Sequence, residues 1–220
     1  YKFNNISVEE TEKIISDKFE YPYILLLSSG KSAIVSCLKA LNIQREEYIG
    51  YSPYSNSCIF RTIGEMGSPI PLSINQNFKC SLIFHQWGYI QKHNSESDVL
   101  IEDSVDSLIL NNKTLFPNNG DFEIISLSKT LSLPYGAIVF CKNKDLYNEL
   151  KIIRDRNKKL SKIQSILKYF SKHSQTLENY WQLMEIYNAH PGNILNNLIK
   201  EKFKNYNMIV EDRIKKIELL

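Results

Sequence analysis

Residues Ile124 to Phe140 read "IISLSKTLSLPYGAIVF". An apolar run passes into Ser-Leu-Ser-Lys, a Pro-Tyr-Gly turn follows, and a second apolar run closes the stretch. Both runs read as buried strands, so Lys129 sits between them. One reading is a turn lysine pointing at water, the commoner fate of lysines. The other is an amine held in a pocket because it does chemistry. An amine nucleophile must lose its proton near neutral pH, which takes desolvation or a neighbouring cation, and a lysine between two apolar strands is placed for the first.

Working outward, short β-type runs alternate with helical patterns through the first two-thirds of the chain. "SVEETEKIISDKF" opens with Ser7 and Glu10 in capping-box spacing, with apolar residues at helical intervals. "YILLL" from Tyr23 is a strand, "KSAIVSCLKAL" a helix, "EYIGY" a strand, and "SCIFRTIGEM" a helix ended by Gly67. "PIPL", "SLIFH", "DVLIE", "EIISL" and "AIVFC" read as further strands. This alternation predicts an α/β fold, a three-layer arrangement of a mainly parallel sheet with helices on both faces. Ligands of such sheets bind beyond the carboxyl ends of the strands. From Lys142 onward the pattern is helical and charged, broken at "NAHPGN" from Asn188. That predicts a large domain over residues 1–156 and a short helical C-terminal segment over 157–220.

The 220 residues can bury one sizeable core. A net charge of +3, spread rather than clustered, gives no footprint for nucleic acid or a membrane surface. No apolar run approaches spanning length. Cys37, Cys58, Cys80 and Cys141 stand singly, without C-x-x-C pairs, and read as free thiols rather than metal ligands or disulfides. A cytoplasmic enzyme or binding protein is the expectation.

Four places can carry chemistry. In "LLLSSGKSAI" a strand ends, Ser28-Ser29-Gly30 turns, and a helix starts at Lys31-Ser32: an anion site at a helix N-terminus, or an ordinary serine cap. "DVLIEDSVDS" places Asp103 at a strand end, where a carboxylate holds a protonated ring nitrogen, a metal, or only the next turn. Lys129 is the third, with Ser126 and Ser128 beside it. "FHQWGY" is the fourth: His85 and Trp87 line a ligand pocket or pack in the core. The order matters more than any single place. An anion cradle, a strand-end acid and a lysine, each at its own strand end, are the three things pyridoxal phosphate needs.

With those residues in place, the sequence resembles the fold-type-I pyridoxal-phosphate (PLP) enzymes and, more narrowly, the DegT/StrS family of nucleotide-sugar aminotransferases. "SSGKSAI", "GYSPYSNSCIFRTIGEMGSPIPL", "IFHQWG", "VLIEDSVDS" and "DFEIISLSKTLSLPYGAIVFCKN" are similar to its motifs, in its order, over about Glu9 to Arg156. The resemblance implies PLP as cofactor and no metal. Lys129 would bond to the cofactor and shuttle the proton, and Asp103 would pair with the pyridine nitrogen. Gly30, Lys31 and Ser32 would contact the phosphate, helped by Ser126. Tyr54 or Asn56 would lie against the ring, and His85 and Asp106 would complete the cofactor site. It also implies a homodimer that moves an amino group, from glutamate as the expected amino-acid donor, onto a keto sugar linked to a nucleotide, in amino-sugar or surface-polysaccharide biosynthesis.

The chain departs from the pattern. Asp106 stands where the family shows His or Gln against the cofactor's phenolic oxygen, and Ile124 stands where it commonly has serine. The segment between "PLSIN" and "CSLIFH" is short, and the helical tail is short of a complete C-terminal domain. Two alternatives follow: a relative that keeps the fold as a binding or interaction module, and another fold-type-I PLP enzyme such as a lyase.

Overall fold

The computed structural model describes residues 6–218 other than 94–96, 108, 110–111, 157, 159–162, 164–165, 168–169, 171–173, 178, 181–187 and 194–195. Seven strands form one sheet: β1 (Ile24–Leu27), β2 (Tyr48–Tyr51), β3 (Ser68–Pro71), β4 (Phe78–Phe84), β5 (Ser97–Asp103), β6 (Phe122–Ser126) and β7 (Ala137–Cys141). The helices that concern the fold are α1 (Val8–Phe19), α2 (Gly30–Ala40), α3 (Ser57–Gly64), the single turn α4 (Leu127–Thr130), α5 (Lys144–Asp155), α6 (Asn196–Lys204) and α7 (Tyr206–Glu218). Every strand and early helix expected from the sequence is present, with ends moved by a few residues.

The spatial order is β1-β7-β6-β5-β4-β2-β3. β7 runs antiparallel to both neighbours, and the remaining pairs are parallel. The carboxyl ends of β1, β5 and β6 therefore meet at one edge, which brings Ser28, Asp103 and Lys129 into one neighbourhood.

Side chains alternate between two cores because successive strand residues point to opposite faces. Leu25, Leu27, Ile124, Ala137 and Val139 join Ile34 and Leu38 of α2, Ile59 and Ile63 of α3, and Leu150 of α5. Ile24, Leu26, Ile125, Ile138 and Phe140 join Ile15 and Phe19 of α1 and Ile199 and Phe203 of α6. A sheet covered on both faces needs apolar residues at every strand position, which is why these strands read as continuous apolar runs.

Local signals place the helices. Ser7 and Glu10 close the expected capping box on α1, with Glu10 N–H to Ser7 Oγ at 3.1 Å and Ser7 N–H to Glu10 Oε2 at 2.8 Å. Buried Arg154 of α5 bonds Glu12 of α1, whose Oε1 also accepts from the Leu26 N–H at 2.7 Å. The C-terminal part closes on the first core elements. The Ser28 N–H donates to Ala189 O at 2.8 Å, and Phe203 and Tyr206 meet Phe19 edge-on.

The short segment before "CSLIFH" has a structural counterpart. Parallel crossovers ordinarily take about a dozen residues or more, yet residues 72–77 carry the chain from β3 past β2 to β4 without a helix. They press straight onto the sheet at Gly50. A Cβ there would lie 2.5 Å from Leu72 Cδ2 and 3.0 Å from the Phe78 ring.

Candidate functional site

A cavity of about 370 Å³ opens at the shared carboxyl edge. Ser29, Gly30 and Lys31 come to it from the start of α2, and Val105 from the turn after β5. Ser126, Ser128 and Lys129 come from the end of β6, and Leu133 to Gly136 from the turn before β7. Gly136 takes φ 104°, a conformation that side-chain-bearing residues avoid. Its N–H donates to Ser28 O at 3.0 Å, and its carbonyl accepts from the Leu127 N–H at 3.0 Å. One glycine thus ties the β1 end to the lysine turn. Read in the sequence only as a turn, Pro134 to Gly136 are a wall of the site.

The start of α2 is a capping box. Ser32 N–H donates to Ser29 Oγ at 3.1 Å, Ser29 N–H to Ser32 Oγ at 2.9 Å, and Ser32 Oγ–H to Ser29 O at 2.8 Å. Ser32 is fully buried and spends its hydroxyl and its N–H inside the cap, so the cavity meets Ser29, Gly30 and Lys31 instead of the expected Ser32. An 11-residue helix of this kind carries a partial positive charge at its start.

Asp103 closes β5 and is fully buried. Its Oδ1 accepts from the Val105 N–H at 3.1 Å, whereas Oδ2 has no hydrogen-bond partner among the described residues. Burial pushes its carboxyl up to about 7, against the Val105 hydrogen bond and the nearby Lys129 charge, both of which pull it down. A buried oxygen with nothing to bond is costly and rare, so such an atom is a mark for a cationic or N–H ligand.

Lys129 sits in α4, whose turn is held by the Thr130 hydroxyl on Ser126 O at 2.6 Å and by Arg213 of α7 on Thr130 O. The desolvated setting expected for it is absent: 53% of its side chain is exposed, and Nζ pairs with Asp106 Oδ1 at 2.9 Å. The strands bury their own side chains, but the turn between them lies at the edge of the sheet, where water reaches. Asp106 therefore faces the lysine. Ser126 Oγ and Ser128 Oγ lie 3.0 Å apart on the same turn.

Asp103 and Asp106 stand beside the cavity without lining it, and four further expected residues lie elsewhere. His85 is buried, but its Nε2–H donates to Glu102 Oε2 at 2.9 Å and its Nδ1 accepts from the Gln91 N–H at 3.1 Å, so both ring nitrogens serve the core. Its sequence neighbour Trp87 is 82% exposed in a left-handed conformation, φ 53°, and shares neither pocket nor core. Tyr54, 83% exposed, lines a separate cavity of about 720 Å³ with Phe78, Ile83 and Gln91, which shares no lining residue with the first. Asn56 caps α3, its Oδ1 accepting from the Cys58 N–H at 3.1 Å, and it is Cys58 and Ile59 behind it that line the lysine cavity.

Glu102 was not singled out by the sequence and organises the strand ends. Although burial works against its charge, hydrogen bonds from His85, Asn118 and Gly120 hold its carboxyl below the usual range. Asn118 Nδ2–H donates to both Glu102 Oε2 and Gln91 O at 2.9 Å, linking β5 to the loop after β4. Only its position beside Asp103 in "LIED" could have drawn attention to it.

The family described as "Putative PLP-dependent aminotransferase" matches residues 12–220. No curated protein matches. Among solved structures, a "putative sugar aminotransferase" of Streptococcus pneumoniae, Spr1654, aligns with TM-score 0.70 at 13% identity, over 96% of this chain and 62% of its own. The GDP-4-keto-6-deoxymannose-3-dehydratase ColD, as its H188N mutant with GDP-perosamine, aligns with TM-score 0.65 at 18% identity, over 96% and 64%. NtdA of Bacillus subtilis, with bound pyridoxamine phosphate, aligns with TM-score 0.54 at 18% identity, over 67% and 40%. The chain thus spans about 40% to 64% of the length of these structures, and the likeness is one of fold. The cavity sits at the strand ends where such folds bind ligands, and with the match over residues 12–220 the chain belongs to this family of PLP-dependent aminotransferases.

Proposed function

We propose that the chain binds PLP at the Lys129 cavity and transfers an amino group from an amino acid, glutamate being the expected donor, to a keto sugar carried on a nucleotide. The observation that carries this is Asp103 Oδ2 at the end of β5, a buried carboxylate oxygen that has no hydrogen-bond partner among the described residues and lies close enough to Lys129 to feel its charge. The cofactor fits the residues present. Its protonated ring nitrogen is the donor that Asp103 lacks, and its phosphate suits the N–H groups and dipole at Gly30 and Lys31. Its carbonyl suits the Lys129 amine.

When bound, PLP supplies a ring that withdraws electrons from the carbon carrying the amino group. The protein's part is to hold charge and move protons. Asp103 keeps the ring nitrogen cationic; its own burial makes an unpaired carboxylate unfavourable there, so pairing is strongly preferred. Lys129, whose amine stands at the cavity with Ser126 and Ser128, would be the group that moves the proton. Val105, Ile59 and Leu133 give the cavity apolar walls, while the lysine turn at its mouth stays open to water.

In this reading residues 1–156 form the cofactor-binding large domain and 157–220 a helical segment standing for part of the small domain. The active unit is a homodimer in the cytoplasm, serving amino-sugar or polysaccharide synthesis. Absorbance of the purified protein with PLP, borohydride trapping at Lys129, and release of keto acid on adding glutamate test it. A Lys129→Ala protein with the same trapped spectrum overturns it. The exposure of Lys129 and its bond to Asp106 favour one second reading, a module that binds PLP without turnover. Trapping without keto-acid release would establish that reading instead.

A further inference from the structure

We propose that Asp106 is a positioning residue for Lys129, holding its amine at the cavity mouth and, once the amine is joined to the cofactor, remaining beside the linking nitrogen to keep it protonated. This rests on the proposed function and goes beyond it. Two fixed turns deliver the pair. Asp106 lies on the turn after β5, pinned by the Val105 N–H on Asp103 Oδ1 at 3.1 Å, the Ser107 N–H on Ser104 O at 2.9 Å, and the Ser107 hydroxyl on His85 O at 3.1 Å. His85 is itself locked to Glu102. Lys129 lies on α4, pinned by Thr130 on Ser126 and by Arg213 on Thr130.

With both backbones held, the two turns set the side chains within reach of each other, and Nζ meets Asp106 Oδ1 at 2.9 Å. An ion pair with one half-exposed partner stabilises a fold by about 0–1 kcal/mol. Such an arrangement contributes little to folding, whereas its effect on the bonding nitrogen is direct. Among the described residues, the charged and titratable groups near the pair are Asp103 on β5, which feels Lys129, Asp106 and His85, and Lys31 of α2, which lines the same cavity; Arg213 of α7 bonds the neighbouring Thr130 O. Asp106 is the carboxylate in contact with the amine.

Attachment condenses the deprotonated amine with the aldehyde carbon of PLP: one C=N bond forms, one water leaves, and the ammonium proton goes to solvent. The new nitrogen can then take a proton back, and a carboxylate beside it favours that form.

The test uses the whole chain, PLP, and the variants Asp106→Asn, Asp106→Glu and Lys129→Ala. The visible band of the protonated link is followed against pH, and borohydride-reduced protein is mapped by peptide mass. Asp106→Asn is expected to retain trapped cofactor on Lys129 but lose the visible band at a pH lower by about half a unit to one unit, with Asp106→Glu restoring most of the shift. Midpoints for Asp106→Asn and the unaltered chain within 0.2 units, an order-of-magnitude limit well below that shift, overturn the inference and leave the proposed function standing. Absence of trapped mass on Lys129 in the unaltered chain overturns both.

Discussion

Replacing Asp103 by asparagine should make the cofactor-free protein more stable above neutral pH while weakening its hold on PLP. The unfolded carboxyl ionises near 3.8, and the folded one, raised by burial, near 7. Between those values the folded state holds one more proton than the unfolded chain, so this group's contribution to stability falls as pH rises from about 4 to about 7. Three units at 1.36 kcal/mol each set an upper bound of about 4 kcal/mol. Asparagine keeps the acceptor for Val105 N–H but puts an unpaired N–H₂ where Oδ2 was, returning about 1–3 kcal/mol of that. A net gain of about 1–3 kcal/mol at pH 8, turning into a net loss of about 1–3 kcal/mol near pH 4, where only the unpaired N–H₂ counts, is the expected outcome. Urea unfolding of both cofactor-free proteins at pH 4, 5, 6, 7 and 8 measures it, and taking the difference between them cancels the similar contribution of Glu123, also raised to about 7 by burial. Parallel stability curves across this range would refute the reading of Asp103 as a carboxyl raised by burial. Added PLP should then stabilise the unaltered protein more than the variant at pH 8.

Arg154→Met should cost about 3–5 kcal/mol in urea unfolding, because it leaves Glu12 buried without its cation; Arg154→Met combined with Glu12→Gln should recover much of the loss. Gly120→Ala should cost about 1–3 kcal/mol, since the new methyl would lie 2.7 Å from Glu102 Oε1, an oxygen fixed by its hydrogen bonds. Thiol labelling of the native protein followed by peptide mapping should find Cys58 modified first, because it lines the cavity while burial raises the Cys37, Cys80 and Cys141 thiols. PLP should slow that labelling.

Signals that act within a few residues are legible in the sequence itself. The Ser7–Glu10 box, the turn into α2, the apolar runs of β1, β4, β5, β6 and β7, and a lysine just past a strand end all follow from local hydrogen bonding and side-chain periodicity. From them came the layered fold and the grouping of the α2 turn, Asp103 and Lys129 at one sheet edge. The tertiary structure decided what each side chain faces. Ser29 and Ser32 close one cap between them, yet only Ser29 also lines the cavity. His85 could have met a ligand, but the pairing of β4 with β5 sets it against Glu102. Asp106 and Lys129 are distant in sequence and meet only because β5 and β6 are neighbours in register. Strand order and register are set by the summed burial of a whole sheet, which no short stretch of chain contains; that is why the sequence could name the actors but the fold had to assign their partners.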